Sequence, residues 1–503
     1  MNSMHKFFPK LAKYEWLILL AITVGYFALT TLSLTKLPIF VDEALYLRWS
    51  QIAWHDVSWR FISLTDGKQP LYIWLVIPFM KLIRDPLFAG RMASVVSGYF
   101  TVFGMGYLGW LLKDKKTGLI AMILAALSPY LFFYYRFGIM EATLITSVIW
   151  VVNLSILLAK TRRLDVALIL GMVTGLSLLV KSSALFFCLL IPFAYLLDFD
   201  AKKIFTKKTL RYLGLVLTSW LIAYLIYNIQ RLSPWMHMIA EKNAFFTVGY
   251  GEIFNEPKRL INNFLDVWRW QISYTTIPVL IFFAFGLYKL FRTNLRTFIY
   301  YSSLLLGPVL GTVALASLFA PRYIIYATPF FLIFSAYGIS TIKNSKLLLT
   351  TLLFVLILPL SLIIKLISDP IHFPYVKVDE GYVNGWSAGN GVKQIADWAV
   401  SRIQQTGQPM TIFTEGTFGI LPHGLELYAD GQVAGLTIRG LYPINSIPPT
   451  ETIASVASNP ETYFILNNTQ TTGPQPGLEL ISEHQKLDPA YSMRLYRVLS
   501  TEK

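Results

Sequence analysis

Eleven apolar runs, separated by short clusters of lysine and arginine, limit what this chain can fold into. A bilayer-crossing helix needs about 20 apolar residues, with about 17 as a working minimum, and cytoplasmic ends collect Lys and Arg. The runs lie at roughly 16–35, 87–112, 118–135, 142–159, 166–180, 183–197, 212–229, 277–291, 298–318, 324–342 and 347–367. Lys6, Lys10 and Lys13 precede the first. Further clusters follow alternate runs: Lys113, Lys115 and Lys116; Lys160, Arg162 and Arg163; Lys202, Lys203, Lys207 and Lys208; Arg292 and Arg296; Lys343 and Lys346. This alternation predicts a cytoplasmic N-terminus and an outer C-terminus. The first run is too long for a signal peptide and lacks a small-residue cleavage site, so it reads as an uncleaved anchor. The apolar piece at 70–83, of about 14 residues, has interfacial or re-entrant length. The runs at 166–180 and 183–197 are also short.

Composition supports the same class. Hydrophobic residues make up 55% of the 503 and charged residues 14%, against about a quarter charged in soluble domains. The net charge of +15 would suggest nucleic acid in a soluble chain. Here the basic residues set topology and meet membrane lipids, and no nucleic-acid partner is expected. Cys188 is the single cysteine, which excludes an intramolecular disulfide.

Composition shifts near Ser368, where Gly, Asn, Thr, Glu and Pro become frequent. The sequence thus divides into a membrane domain at 1–367, with outer loops at 36–86 and 230–276, and an extracytoplasmic α/β domain at 368–503. Asn390 before Val392, Ile395, Ala396 and Ala399, with Gly407 as a stop, predicts a capped helix. Strands are expected at 410–414, 463–466 and 493–498.

The charges beside the expected outer ends of the spans escape the topology rule. They include Asp42, Glu43, Asp66 and Lys68 in the first loop, Arg91 one turn into the next run, Arg136 and Glu141, Lys181, and Arg322. An ionisable group at bilayer depth costs several kcal/mol unless paired or ligand-bound, so each is a site candidate. Several cations beside a few carboxylates at a membrane surface suit a lipid phosphate, with one carboxylate left to take a proton from an acceptor hydroxyl. Structural readings stand beside these: Asp42 as the N-cap of a juxtamembrane helix at 44–54, Arg136 and Glu141 as a mutual pair, and Lys68 and Lys181 as snorkelling lysines. The histidines lack ligand spacing, so no metal site is expected from them. An acidic cluster near the phosphate leaves a divalent cation open as a cofactor.

These residues stand in blocks: Val41-Asp42-Glu43-Ala44-Leu45-Tyr46, Gly67-Lys68-Gln69-Pro70-Leu71-Tyr72-Ile73-Trp74 and Arg91-Met92-Ala93-Ser94. Leu127-Ser128-Pro129, Tyr135-Arg136-Phe137-Gly138 with Glu141, the stretch from Gly175 to Lys181, and Pro321-Arg322-Tyr323 follow. No block is specific alone, but their order and spacing over roughly 15–345 resemble the GT-C membrane glycosyltransferases that use polyprenyl-phosphate sugars. The branch that includes protein O-mannosyltransferases and lipid A aminoarabinose transferases is the most similar.

The resemblance implies a polytopic α-helical GT-C fold with about eleven transmembrane helices. It further implies inverting transfer from a polyprenyl-phosphate-linked sugar donor to a lipid, glycan or protein acceptor at the outer face. Asp42, with Glu43, takes the family's catalytic or acceptor-contacting place. Lys68, in the position of the family's Lys-Pro-Pro lysine, would hold the donor phosphate with Arg91, Arg136 and Arg322, supported by Glu141 and Lys181. Gln69 departs from that block, where relatives carry proline, and the loop loses the stiffening a proline would give. The alternative is a transporter or flippase of a lipid-linked or anionic substrate. The charges gather at the outer edge without an evident inverted repeat, which argues against it. The insertion pattern suggests the plasma membrane of a prokaryote.

Overall fold

The computed structural model describes residues 11–198 and 206–500; Lys6, Lys10, Lys202 and Lys203 of the basic clusters lie outside them. The chain is mostly helical, with a β-sheet near its C-terminus. It groups into two compact units. One comprises Met1–Leu32, Phe61–Tyr72 and Arg91–Ser368; the other comprises Ser33–Arg60, Ile73–Gly90 and Asp369–Lys503. This grouping differs from a division at 367/368 because much of the first loop packs with the C-terminal segment.

In the first unit, every apolar run is helical, but length divides them. Among the described residues, six helices are long and apolar enough to cross a membrane: Lys13–Thr31, Pro86–Leu112, Met140–Thr161, Lys207–Leu232, Leu295–Leu315 and Ser345–Ser368. Two bent pairs raise the number to eight, Lys115–Ala126 with Pro129–Tyr135 (58°) and Pro257–Thr275 with Ile277–Thr293 (116°). The remaining three expected runs form the shorter apolar helices Leu164–Leu178, Ser182–Asp198 and Ile325–Ser340. The first bend falls at Ser128-Pro129, where Ser128 Oγ caps the second helix and proline, lacking an N–H, takes its first turn. Asp114, Thr206 and Asn294 likewise begin helices by accepting a backbone N–H three residues on.

Polar contacts sort the span ends into two sets. At one, Lys113 Nζ donates to Ser340 Oγ (2.8 Å), Lys116 Nζ to the Ile342 carbonyl, Lys160 Nζ to the Leu111 carbonyl, and Lys115 pairs with Glu15 (3.0 Å). At the other, Tyr130 Oη donates to the Pro321 carbonyl and Lys181 pairs with Glu141. Lys113, Lys115, Lys116 and Lys160 therefore gather with the 340–342 segment at one end of the helices, and Glu141, Lys181 and the Pro321 turn at the other. Close packing holds the middle. A Cβ on Gly286 would lie 1.9 Å from the Phe334 carbonyl oxygen, and one on Gly338 2.8 Å from that of Phe282. Small residues let helices approach in lipid, where no hydrophobic force drives them together.

The expected loop at 230–276 contains the helix Met238–Phe246 and the whole of the amphipathic helix Pro257–Thr275. On the latter, Ile261, Phe264, Leu265, Trp268 and Ile272 form an exposed apolar stripe, and Asn263, Val267, Trp270 and Gln271 are buried. The amphipathic character of the loop is carried by this helix in its second half.

The second unit carries the strands β1 (Ile39–Phe40), β2 (Ala388–Gly389), β3 (Met410–Glu415), β4 (Leu436–Leu441), β5 (Thr462–Leu466), β6 (Leu478–Gln485) and β7 (Ser492–Val498). The five-stranded sheet runs β4-β3-β5-β7-β6; β3 is parallel to β4 and β5, and β7 antiparallel to β5 and β6. The helix Val392–Thr406 begins at Gly391 rather than Asn390 and ends at Gly407, whose φ of 65° suits a left-handed stop. Phe413, Phe464, Leu466, Leu478, Tyr496 and Val498 form a core against the sheet. β1 pairs antiparallel with β2, so the chain entering the Asp42 helix is itself part of this unit.

Gly286→Val should force the two helices apart and lower the thermal unfolding midpoint in detergent, with an overpacking cost of about 1–3 kcal/mol. Gly25→Val, at a position where an added Cβ meets nothing within 4 Å, should leave the midpoint unchanged.

Candidate functional site

In the first unit, the site residues meet through four short segments. The turn at Gly67-Lys68-Gln69 is tightly determined. Gly67 has φ 65°, and a Cβ there would lie 2.3 Å from the Met238 carbonyl oxygen and 2.6 Å from Lys242 Cβ. No other residue takes that conformation and that approach without strain. Gln69 is buried and its Nε2 donates to Ser182 Oγ (2.7 Å), while the Leu71 N–H donates to the Leu179 carbonyl (3.0 Å). A side-chain hydrogen bond thus fixes the turn that proline would stiffen, and joins the Lys68 block to the Lys181 block.

Lys181 and Glu141 pair at 2.7 Å, with side chains 25% and 5% exposed. Glu141 therefore has Lys181 as its ion partner rather than Arg136. Lys181 Nζ also lies 5.1 Å from the centroid of the Tyr323 ring, and the Arg322 guanidinium carbon 5.2 Å from the same ring. Two cations share one aromatic ring, a geometry that holds positive charge at modest desolvation cost. The edge of Phe246 approaches Tyr323 (6.3 Å between centroids) and Lys242 lies 5.7 Å from Phe246. Lys242 in turn pairs with Asp66 at 2.6 Å, and Asn243 Nδ2 donates to Ser182 Oγ (3.1 Å).

Arg91 and Arg136 are fully buried. The Arg91 guanidinium carbon lies 5.2 Å from the Phe137 ring centroid, and Ser94, one turn on, bonds both Tyr72 Oη and the Ile139 carbonyl. Arg136 Nη1 donates to the carbonyls of Leu29, Thr30 and Leu32 at 2.8–3.2 Å. Those are the last carbonyls of the first span, which have no partner within their own helix. Arg136 thereby caps that span while keeping its charge at the site end.

The second unit holds Asp42 and Glu43. The helix Val41–His55 begins at Phe40, so Asp42 sits in its first turn and is not its N-cap. Glu43 is the capping carboxylate: fully buried, its Oε2 accepts the Phe40 N–H at 3.0 Å. Asp42 is 9% exposed. The C-terminal segment grips this helix. Arg48 pairs with Glu426 (3.3 Å) and Asp430 (2.7 Å), and Gln51 Nε2 donates to the Leu427 carbonyl. A Cβ on Gly419 would lie 2.7 Å from Val41 Cγ2. His423, in the same segment, is held neutral: burial and then Arg48 push its pKa down to about 4. Burial raises the carboxyl of Glu426, and Arg48 offsets part of that rise.

Sequence reasoning missed Lys242 and gave Gln69 no partner. Lys242 lies on a loop helix that carries no block of its own, and the available signal was the cation four residues before Phe246 in a loop rich in aromatics. Among the described residues, no group of three or more His, Cys, Asp and Glu gathers as a metal-ligand set.

Glu141 and Lys181 are coupled by contact, so Lys181→Met should destabilise more than Lys181→Met combined with Glu141→Gln. The single change strands a buried carboxylate, and unfolding midpoints of the four proteins in detergent test this. His423 has a folded pKa below its unfolded one of 6.5. Its contribution to stability is therefore present above pH 6.5 and lost as pH falls toward about 4. The midpoint difference between wild type and His423→Gln should change across that window and be flat above it.

Comparison with known proteins adds two findings. Residues 67–227 match the sequence profile of the dolichyl-phosphate-mannose-protein mannosyltransferase family. No curated protein sequence matches the chain. Among solved structures, ArnT from Cupriavidus metallidurans bound to undecaprenyl phosphate superposes with a TM-score of 0.60 at 12% identity, covering 98% of this chain and all of that one. Its apo form gives 0.59 at 13% identity, covering 97% and 99%. The apo Archaeoglobus fulgidus oligosaccharyltransferase gives 0.50 at 12% identity, covering 89% of this chain and 69% of that one. The chain thus shares the fold of ArnT and of the Archaeoglobus oligosaccharyltransferase, and over residues 67–227 it carries the sequence pattern of the dolichyl-phosphate-mannose-protein mannosyltransferases.

Proposed function

We propose that this protein is a membrane glycosyltransferase that moves one sugar from a polyprenyl-phosphate-linked donor onto a lipid, glycan or protein acceptor at the outer face of a prokaryotic plasma membrane. In this reading all eleven apolar helices cross or enter the bilayer, the N-terminus is cytoplasmic and the C-terminal domain is extracytoplasmic. The observation that carries the reading is the shared Tyr323 ring. Lys181 and Arg322 meet on it at the ends of different helices, and Gln69 ties the Lys68 turn to the residue beside Lys181. Such an assembly costs electrostatic self-repulsion, which a bound anion relieves. That a structure of the same fold is described as bound to undecaprenyl phosphate supports a lipid phosphate as that anion.

The chemistry follows from charge. The acceptor oxygen bonds to the anomeric carbon from the face opposite the donor phosphate while the bond from that carbon to the phosphate oxygen breaks, inverting the centre. The acceptor proton goes to the Asp42 carboxylate, with Glu43 fixing the first turn of its helix. The polyprenyl phosphate leaves with one more negative charge than it carried as an ester. Lys68, Arg91 and Arg322 stabilise that charge as it develops. Arg136 adds to the field from the capped end of the first span, and the Glu141–Lys181 pair sets the net charge. The outer C-terminal domain holds the Asp42 helix through Arg48 and Gln51.

Purified protein in detergent, with a panel of radiolabelled polyprenyl-phosphate sugars and crude membrane acceptors, tests the proposal. Wild type should transfer label. Asp42→Asn should lose about 10²–10⁴-fold in turnover while retaining donor binding, and Lys68→Ala should lose donor affinity first. Saturable donor binding without transfer in any pairing, unchanged by either substitution, would overturn the reading in favour of transport.

A further inference from the structure

The turn that carries Arg322 is a single 3-10 turn, Pro321–Tyr323, too short to hold itself in place. The helix Leu295–Leu315 ends, and the chain then runs through 316–320 to Pro321-Arg322-Tyr323. The last carbonyls of that helix require outside donors: the Val248 N–H serves the Leu315 carbonyl (2.8 Å), and the amphipathic helix Pro257–Thr275 serves three others. Arg259 Nη1 donates to the Ala316 carbonyl (2.9 Å) and Nη2 to that of Ala314 (3.1 Å). Asn263 Nδ2 donates to the Val313 carbonyl (3.2 Å). Two turns beyond Asn263 on this helix, buried Trp270 stacks on Phe319 with centroids 4.8 Å apart. These three side chains lie on the helix face opposite the exposed stripe, and they grip the chain at 313–319 just before Arg322.

We infer that Arg259, with Asn263 and Trp270, is a positioning residue that fixes the Arg322 turn for the donor phosphate; the inference rests on the phosphate role proposed for Arg322. Two features separate this from ordinary helix capping. The contacts follow the chain past the helix end to Phe319, three residues from Arg322, where capping alone would stop at Ala316. The far side of the turn is held independently, by the Tyr130 hydroxyl on the Pro321 carbonyl (2.9 Å). A segment pinned on both sides carries its side chain in one place, and loosening one pin frees it. The guanidinium suits the task because its planar fork serves two carbonyls at once, and an ammonium on a flexible stem does not reproduce that geometry.

The test measures binding of undecaprenyl phosphate to the full-length protein in detergent, with the unfolding midpoint of each variant recorded alongside. Arg322→Ala should raise Kd about tenfold or more and Arg259→Ala about threefold or more, whereas the double variant should bind no more weakly than Arg322→Ala alone. Arg259→Lys should recover part of the loss. Asn263→Ala, a milder change on the same carbonyl row, serves in place of Arg259→Ala should that variant not fold, and should show the same dependence on Arg322. If Arg322→Ala weakens binding and Arg259→Ala or Asn263→Ala only lowers the midpoint, or if the losses add in the double variant, the positioning role is wrong and the phosphate role stands. If Arg322→Ala leaves Kd unchanged, the phosphate role of Arg322 fails, and the positioning role with it.

Discussion

Every helix that ends inside or beside hydrocarbon leaves carbonyls that water cannot reach, and this protein answers that constraint with arginines. Arg136 takes three carbonyls at the end of the first span. Arg259 takes two at the end of Leu295–Leu315. Each guanidinium brings a permanent positive charge to the same end of the helices that collects Lys181 and Arg322. Backbone satisfaction and a cationic environment for an anion are met by the same residues. The candidate site is in this sense a consequence of how the spans terminate.

That end is also where ordering costs most, because its segments are short turns. The protein fixes them by contacts between segments distant in sequence. Gln69 reaches Ser182, Glu141 reaches Lys181, and Tyr323 receives both Lys181 and Arg322. Each contact is worth little alone, but together they hold charged side chains that would otherwise spread apart. In the second unit the same economy appears in another form. The helix bearing Asp42 is held from the C-terminal segment by Arg48 and Gln51, and its entry strand is paired with β2. The compositionally separate C-terminal segment therefore packs as one body with a loop that lies more than 300 residues earlier in the chain.

What was legible in the sequence follows one physical boundary. Each of the eleven apolar runs became helical because apolar length and the absence of water leave the backbone no alternative. Lys113, Lys115, Lys116 and Lys160 sorted to one end because they snorkel away from hydrocarbon. Three strands of the C-terminal sheet were readable from their apolar pattern, but β4 and β6, half-exposed and mixed in composition, were not. The site blocks were readable as charges in the wrong place for topology. Their pairing was not: the sequence offered Arg136 as the partner of Glu141, and only packing chose Lys181. Asp42 looked like an N-cap, yet the helix starts two residues earlier and Glu43 does the capping. Lys242 gave only the weak signal of a cation four residues before Phe246 and Arg259 gave none, because a cation on a loop helix reads as solvated until its partner arrives.

The sequence by itself determined that the chain is a bundle of apolar helices with its charges divided between two ends, since hydropathy and backbone satisfaction act locally on each run. It also singled out the charges that stand apart from the topology pattern. The tertiary structure decided which cations share a ring, which carboxylate is paired, which glutamine replaces a proline's stiffness, and which arginines serve backbone as well as site. Those choices depend on distances of a few ångströms between segments dozens of residues apart, and only the packed chain sets them.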